Sequence, residues 1–178
     1  LTALDRPMVV DADGLNLLAG MGRWPEKAFK AKAVLTPHPG EMRRLAGLLP
    51  AKQAGAWLAK GAIPSDGASR EAIAVLAART FGQVIVLKGR ATVVTDGRRV
   101  YVNQTGDSTL SKAGTGDILS GVLGCLLAQK MERFEAATLA VWLHGRAGEI
   151  AGAKYGKRSA LGREIIESLS AAIGEREG

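Results

Sequence analysis

Val84-Ile85-Val86-Leu87 is an unbroken apolar run, preceded by Gly82-Gln83 and closed by Lys88-Gly89. A strand with no polar position on either face has to be covered on both. That places it in the middle of a sheet flanked by helices, not in a half-solvated antiparallel sheet. The rest of the chain follows the same plan. Residues 8–10 and 33–35 are shorter apolar runs, and each ends in a polar turn that leads into a helical pattern. A short helix closed by Gly20 follows the first. After the tight turn 36–40, whose two prolines and glycine argue against helix or strand, a helix is expected from Glu41.

An alanine-rich stretch from Pro50 reads as helical on both sides of residues 61–69, with Ser69 as N-cap of a helix reaching Arg79 and Gly82 behind it. Asp96-Gly97, between two extended segments, signals a β-hairpin. Three apolar-periodic helices close the chain, at about 117–129, from 133 and from 162. Strands alternating with helices argue an α/β layered domain with a mostly parallel sheet. Ligands of such sheets bind beyond the carboxyl ends of the strands, so the turns at 11–16, 36–41, 88–92 and 103–117 are expected to converge.

At 178 residues and 47% hydrophobic, the chain can bury a sizeable core as one domain. The formal charge of +7 raises the question of a nucleic-acid partner. The basic residues are scattered singly or in pairs among acidic ones, and aromatics are only 4%, so neither a basic stripe nor a stacking platform forms. A positive surface also steers polyphosphate ligands. No stretch reaches the roughly 18 consecutive apolar residues of a membrane span. Cys125, the single cysteine, reads as a buried small hydrophobe in a reducing, cytoplasmic compartment.

The chemistry concentrates in Gly114-Thr115-Gly116-Asp117 ahead of a helix. Free amides and the helix dipole at such a start favour an anion, and small residues let phosphoryl oxygens approach. Asp117 is then either a base beside the phosphoryl group or a plain helix cap, and residue chemistry alone leaves both open. Neither the phosphate-loop pattern nor a GxGxxG turn is present. Asp11 and Asp13, two apart in an extended segment, face one way and suit a hydrated magnesium or an ordered turn. Glu41 suits either a water-bridged magnesium or the start of its helix. Lys88 is either a phosphate contact or a solvent-seeking strand-end lysine. His144 reads as a helix-packing residue.

Taken in order, "DADGLN", "TPHPGE", "VLKGRATVV", "NQTGDSTLSKAGTGDILSGVLGCLLAQ" and "AATLAVWLHGRAGE" resemble the NAD(P)H-hydrate dehydratase family. These ribokinase-like enzymes repair hydrated nicotinamide cofactors. The resemblance implies a three-layer α/β/α, Rossmann-like fold. It also implies ATP- or ADP-dependent dehydration of (S)-NADHX or NADPHX, with Mg²⁺, to NADH or NADPH. Asp117 becomes the base and a contact of the hydrated substrate, with Gly114, Thr115 and Gly116 as the anion hole. Lys88, Gly89, Arg90, Ala91, Thr92 and Gly116 bind nucleotide, and His38 and Asn16 meet the hydrated dinucleotide.

The same resemblance implies a homo-oligomer, with a tetramer as the bacterial form, and an epimerase domain as one option for the parent chain. Family members carry further sequence ahead of "DADGLN", so residues 1–178 are expected to be the carboxyl-terminal part of one such domain, with the amino-terminal strands missing. Gly14 stands where the family usually has alanine. Lys112-Ala113 departs from the family's small residue and glycine, and Lys112 is expected to add positive charge toward phosphate. The competing readings are a ribokinase-like kinase for a vitamin precursor and a non-catalytic nucleotide-binding module.

Overall fold

The structure is a computed structural model that describes residues 6–22, 31–54 and 66–177. Among the described residues, five strands form one sheet in chain order: β1 (Pro7–Val10), β2 (Lys32–Leu35), β3 (Val84–Leu87), β4 (Val93–Thr95) and β5 (Val100–Val102). β1, β2 and β3 pair in parallel, while β4 and β5 return antiparallel around Asp96-Gly97, with Gly97 at φ 90°. The sheet is therefore mixed. Its parallel half carries the expected strand-to-helix turns, and the hairpin supplies the other two strands.

β3 is the centre of the molecule, as its composition demands. Ile85 and Leu87 join one core with Leu35 of β2, Leu15 and Leu18 of α1 (Asp13–Gly20), Met42 and Leu45 of α2 (Pro39–Ala46), and Ile73 and Phe81 of α3 (Gly67–Phe81). Val84 and Val86 face the other way. They pack with Val34 against Leu119, Leu123 and Leu127 of α4 (Thr115–Ala128) and Ala137 and Ala140 of α5 (Arg133–Tyr155). Each fully buried aliphatic side chain of this kind contributes about 1.5–3 kcal/mol. Helices on both faces make the three layers, and α6 (Gly162–Glu177) packs on the outside of α5 through Ile165 and Ala172.

Several boundaries differ from the sequence reading. α2 starts at Pro39, not Glu41, because proline at the first helical position has its φ already set and no amide to satisfy. The cap of α3 is Asp66, whose carboxylate accepts from the Ser69 amide at 2.8 Å, so Ser69 lies inside the helix. Gly82 follows as the left-handed C-cap that was expected. Asp13 already belongs to α1, so Asp11 and Asp13 do not share an extended face. Cys125 is exposed: α4 turns Leu119, Leu123 and Leu127 to the sheet, and Cys125 falls on another side of the helix. Residues 51–54 are helical; the remainder of the expected alanine-rich helix, to residue 60, and the first part of the expected break, residues 61–65, lie outside the described residues.

Candidate functional site

The parallel strands end in three turns that are stitched together by backbone bonds. The Thr36 amide donates to Val10 O at 3.1 Å, which joins the turns after β1 and β2, and the Lys88 amide donates to Pro37 O at 2.8 Å, which joins those after β2 and β3. Two of the three described non-glycine residues at positive φ, Ala12 (48°) and Ala91 (53°), lie in these turns. Backbone strain of this kind gathers where a site fixes the chain.

In the turn after β2, the His38 ring caps α2. Its Nδ1 accepts from the Gly40 amide at 2.9 Å and the Glu41 amide at 3.3 Å, while Glu41 Oε2 accepts from the His38 amide at 2.7 Å. This reciprocal box satisfies otherwise unpaired helix-start amides. Since Nδ1 accepts, the neutral ring carries its proton on Nε2, which stands 3.4 Å from Glu41 Oε1. Half of the His38 side chain is exposed (51%), so the turn displays the ring. A Cβ on Gly40 would lie 2.7 Å from His38 Cε1, so only glycine lets the ring fold back over its own helix. Glu41 is buried, only 5% exposed, and serves the helix start.

After β3, Lys88 Nζ lies 2.6 Å from Asp11 Oδ1 and 4.0 Å from Glu41 Oε2. Ser120 of α4 donates to the second oxygen, Asp11 Oδ2, at 2.9 Å. Burial pushes the Asp11 carboxyl up, but the Lys88 ammonium, the Ala12 amide and the Ser120 hydroxyl outweigh it and hold the group below the usual carboxylate value. Gly89 passes over Arg70 with φ 139°, and a Cβ there would sit 3.1 Å from Arg70 Nη2. Thr92 Oγ1 closes the turn onto Gly89 O at 2.9 Å, and Arg90 and Ala91 are exposed at its tip.

Arg70 escaped the sequence reading. It is buried, only 6% exposed, and its Nη2 donates to Leu87 O and Lys88 O, each at 3.2 Å, so it holds the carbonyls at the end of β3. Nothing in "GASREAIAV" marks it apart from other helix arginines. Arg44 is a second residue found only in the structure: its Nη1 donates to Asn16 Oδ1 at 3.1 Å. That bond ties the "DADGLN" turn to the helix that His38 caps.

Gly114 is the N-cap of α4 in the left-handed conformation (φ 84°), with no side-chain cap. Asp117 is therefore not the cap. It lies exposed in the first turn. Thr115 is buried and turns its hydroxyl to Leu110 O (2.8 Å) and Lys112 O (2.9 Å), so it braces the loop and does not face solvent. The Asp117 amide donates to Gly114 O at 3.2 Å, and no acceptor among the described residues meets the Gly114 and Gly116 amides. The open donors are thus fewer than the whole 114–117 run. A side chain on Gly116 would begin 3.6 Å from Lys88 Nζ and 3.8 Å from Asp11 Oδ2, which brings the glycine turn to the other three turns.

One further expectation changes, that for Lys112, while His144 is the helix-packing residue it was read as. Lys112 Nζ donates to Lys157 O and Ala160 O at the α5–α6 junction, so its charge is turned away from the glycines. His144 is buried against α4 near Thr115, with Nε2 unpartnered among the described residues. No group of three or more His, Cys, Asp or Glu converges among the described residues, and Asp11 is already engaged by three donors. Among the described residues the side chains do not form a magnesium cage. A magnesium ion at this site would be carried by nucleotide phosphates and water.

Comparison with known proteins bears on the family and the fold. The family model described as NAD(P)H-hydrate dehydratase matches residues 1–170. The ADP-dependent (S)-NAD(P)H-hydrate dehydratase of Neisseria meningitidis serogroup B is 38% identical over 148 residues, covering 82% of this chain and 46% of that protein. The bifunctional NAD(P)H-hydrate repair enzyme Nnr of Hyperthermus butylicus is 37% identical over 169 residues, covering 95% of this chain and 29% of that protein. The chain thus spans less than half the length of these relatives. Among solved structures, the ADP/ATP-dependent NAD(P)H-hydrate dehydratase from Bacillus subtilis, co-crystallized with ATP/Mg2+, superposes with a TM-score of 0.77. It is 28% identical and covers 98% of this chain and 57% of that one. A hydroxyethylthiazole kinase from Pyrococcus horikoshii (TM-score 0.65, 21% identity, covering 93% of this chain and 59% of that one) shares the fold. By its sequence model, its strand-end motifs and its layered architecture, the chain belongs to the NAD(P)H-hydrate dehydratase family.

Proposed function

We propose that this chain is the carboxyl-terminal part of a dehydratase domain that uses ATP or ADP to convert (S)-NADHX or NADPHX to NADH or NADPH. The observation that carries the reading is the anion site at the strand ends. The open amides of Gly114 and Gly116 start α4, the Lys88 ammonium lies 3.6 Å from where a Gly116 side chain would begin, and Asp117, exposed and not a cap, is the next residue of that first turn. The Bacillus subtilis dehydratase with ATP/Mg2+ and the ADP-dependent Neisseria enzyme support the nucleotide as co-substrate.

In this reading Asp117 takes the proton of the ring hydroxyl as its oxygen attacks the terminal phosphoryl group, and the nucleotide leaves one phosphate shorter. The glycine amides and Lys88 offset the charge on the transferred group. Hydroxide leaves poorly, whereas phosphate leaves well. The ring nitrogen's lone pair pushes it out, the C–O bond breaks, and loss of a ring proton restores the dihydronicotinamide. Lys88, Gly89, Arg90, Ala91 and Thr92 hold the nucleotide, while His38, through Nε2–H, and Asn16, through the Arg44 bond, address the hydrated dinucleotide. Thr115 acts by bracing the loop beneath the anion site.

Several relatives are bifunctional repair enzymes, which supports an epimerase half as an option for the parent protein. The family likeness also supports a homo-oligomer working in the cytoplasm. No helix among the described residues is long and apolar enough to cross a membrane. The test is incubation of the chain with ADP or ATP, magnesium and hydrated cofactor. The expected result is the return of the near-ultraviolet absorbance of reduced nicotinamide. A phosphoryl ester formed on a vitamin alcohol without that return would make it a kinase. Nucleotide binding with neither product would make it a binding module.

A further inference from the structure

Asp11 has no part in the chemistry above, yet it joins more of the site than any other described side chain there. Its Oδ1 accepts from Lys88 Nζ at 2.6 Å and from the Ala12 amide at 2.9 Å, and its Oδ2 accepts from Ser120 Oγ at 2.9 Å. The partners come from the ends of β1 and β3 and from the second turn of α4, up to 109 positions away in the chain. The ion pair is mostly withdrawn from water, with side chains 15% and 19% exposed. A lysine ammonium is a point charge on a flexible stem and has no preferred direction of its own. Here one donor is fixed on Asp11, with Glu41 at 4.0 Å on another side and the Gly116 face 3.6 Å away from where a side chain would start.

We propose that Asp11 is a positioning residue: anchored by Ser120, its carboxylate holds Lys88 Nζ over Gly116, where the ammonium meets the phosphate of a nucleoside di- or triphosphate arriving at the glycine turn. This inference rests on the phosphate-binding part of the proposed function and not on the dehydration step. It also accounts for a carboxylate lying 3.8 Å from the position that a Gly116 side chain would take. Alone, such a charge would repel phosphate. Paired with an ammonium that it orients, it trades part of the attraction for a fixed geometry, and a preorganised donor loses less freedom when the ligand arrives. The Asp11 carboxyl stays ionised at neutral pH through the Lys88, Ala12 and Ser120 donors, so the anchor is present where the protein works.

The test is a double-mutant cycle on ADP binding by this chain, read by calorimetry, with melting temperature as the check on folding. Lys88→Met is expected to weaken ADP about tenfold or more, as loss of a charge-assisted phosphate contact does. Asp11→Asn, which keeps the shape and an acceptor oxygen for the Ala12 amide while turning an amide N–H toward Ser120 Oγ, is expected to weaken it about fivefold. The double variant is expected to bind no more weakly than Lys88→Met alone, because Asp11 acts only through that lysine. Should Asp11→Asn fail to fold, Ser120→Ala replaces it and is expected to show a smaller loss with the same non-additivity. Tighter or unchanged ADP binding in the Asp11→Asn or Ser120→Ala protein overturns the proposal. So does a loss that persists in full without Lys88, or an unaltered chain that does not bind ADP. A chain that shows the coupled pattern but turns over no hydrated cofactor upholds the positioning role and removes the dehydratase reading.

Discussion

His38 and Glu41 hold each other across the first turn of α2: the ring nitrogen accepts the Glu41 amide at 3.3 Å, and the Glu41 carboxylate accepts the His38 amide at 2.7 Å. The imidazole caps its helix, and under the proposed function it also meets the hydrated dinucleotide; substitution can separate the two. His38→Asn keeps a good cap and should leave stability within about 0.5 kcal/mol, whereas His38→Ala should cost about 1 kcal/mol. Both should raise KM for the hydrated dinucleotide several-fold. Equal KM in the asparagine variant and the unaltered protein would leave His38 as a cap only.

Asp117 caps nothing, since Gly114 occupies the cap position and the helix starts at Thr115. Asp117→Asn should therefore leave the fold and the ADP affinity nearly unchanged. It should lower turnover by about 10²–10⁴-fold, the usual contribution of a positioned base. Single-turnover rates beside calorimetric ADP binding read the two effects apart, and unchanged turnover would remove the base from the mechanism.

The strands and the layer plan were legible because they follow from local pattern. Val84 to Leu87 could only be central, and Asp96-Gly97 could only turn. Local reading failed where a side chain acts outside its usual habit. A histidine cap on Pro39 is rarer than an acidic or hydroxyl cap, so α2 was expected two residues late. Asp13 was read as extended because the helix start at that residue depends on Ala12 adopting φ 48°. The Asp11–Lys88–Ser120 cluster and the buried Arg70 were illegible for a different reason: their partners lie 77, 109 and 17 or 18 positions away, and only the sheet order brings them together.

The loop that feeds the glycine turn lies on α5 where that helix has no side chains. A Cβ on Gly145 would come 2.7 Å from the Thr105 backbone carbon and 2.9 Å from its Cβ, and backbone cannot swing aside as a side-chain tip can. Gly145→Ala should destabilise by about 1–3 kcal/mol through overpacking. Gly124 in α4 has nothing within 4 Å of its Cβ position, and Gly124→Ala should stabilise by about 0.5–1 kcal/mol through helix propensity. The same chemical change with opposite signs in thermal melts is the check. Parallel shifts would mean that the loop does not rest on that helix face.

His144 gives the fold a dependence on pH. Burial drives its pKa from 6.5 down to about 4, with a Thr115 backbone contact opposing and the Lys88 charge adding to the shift. Between those values the unfolded chain binds a proton that the folded chain refuses, so stability is full above pH 6.5 and falls as the pH drops toward 4. The total loss is about 3 kcal/mol at 1.36 kcal/mol per unit. His144→Leu removes the titration and fills the same space, and its buried site has an unpartnered Nε2 to lose among the described residues. Denaturant melts of both proteins across pH 4–7 should show the unaltered protein losing stability relative to the leucine variant as the pH falls. Identical slopes would show that the imidazole is protonated, or reached by water, in the folded state.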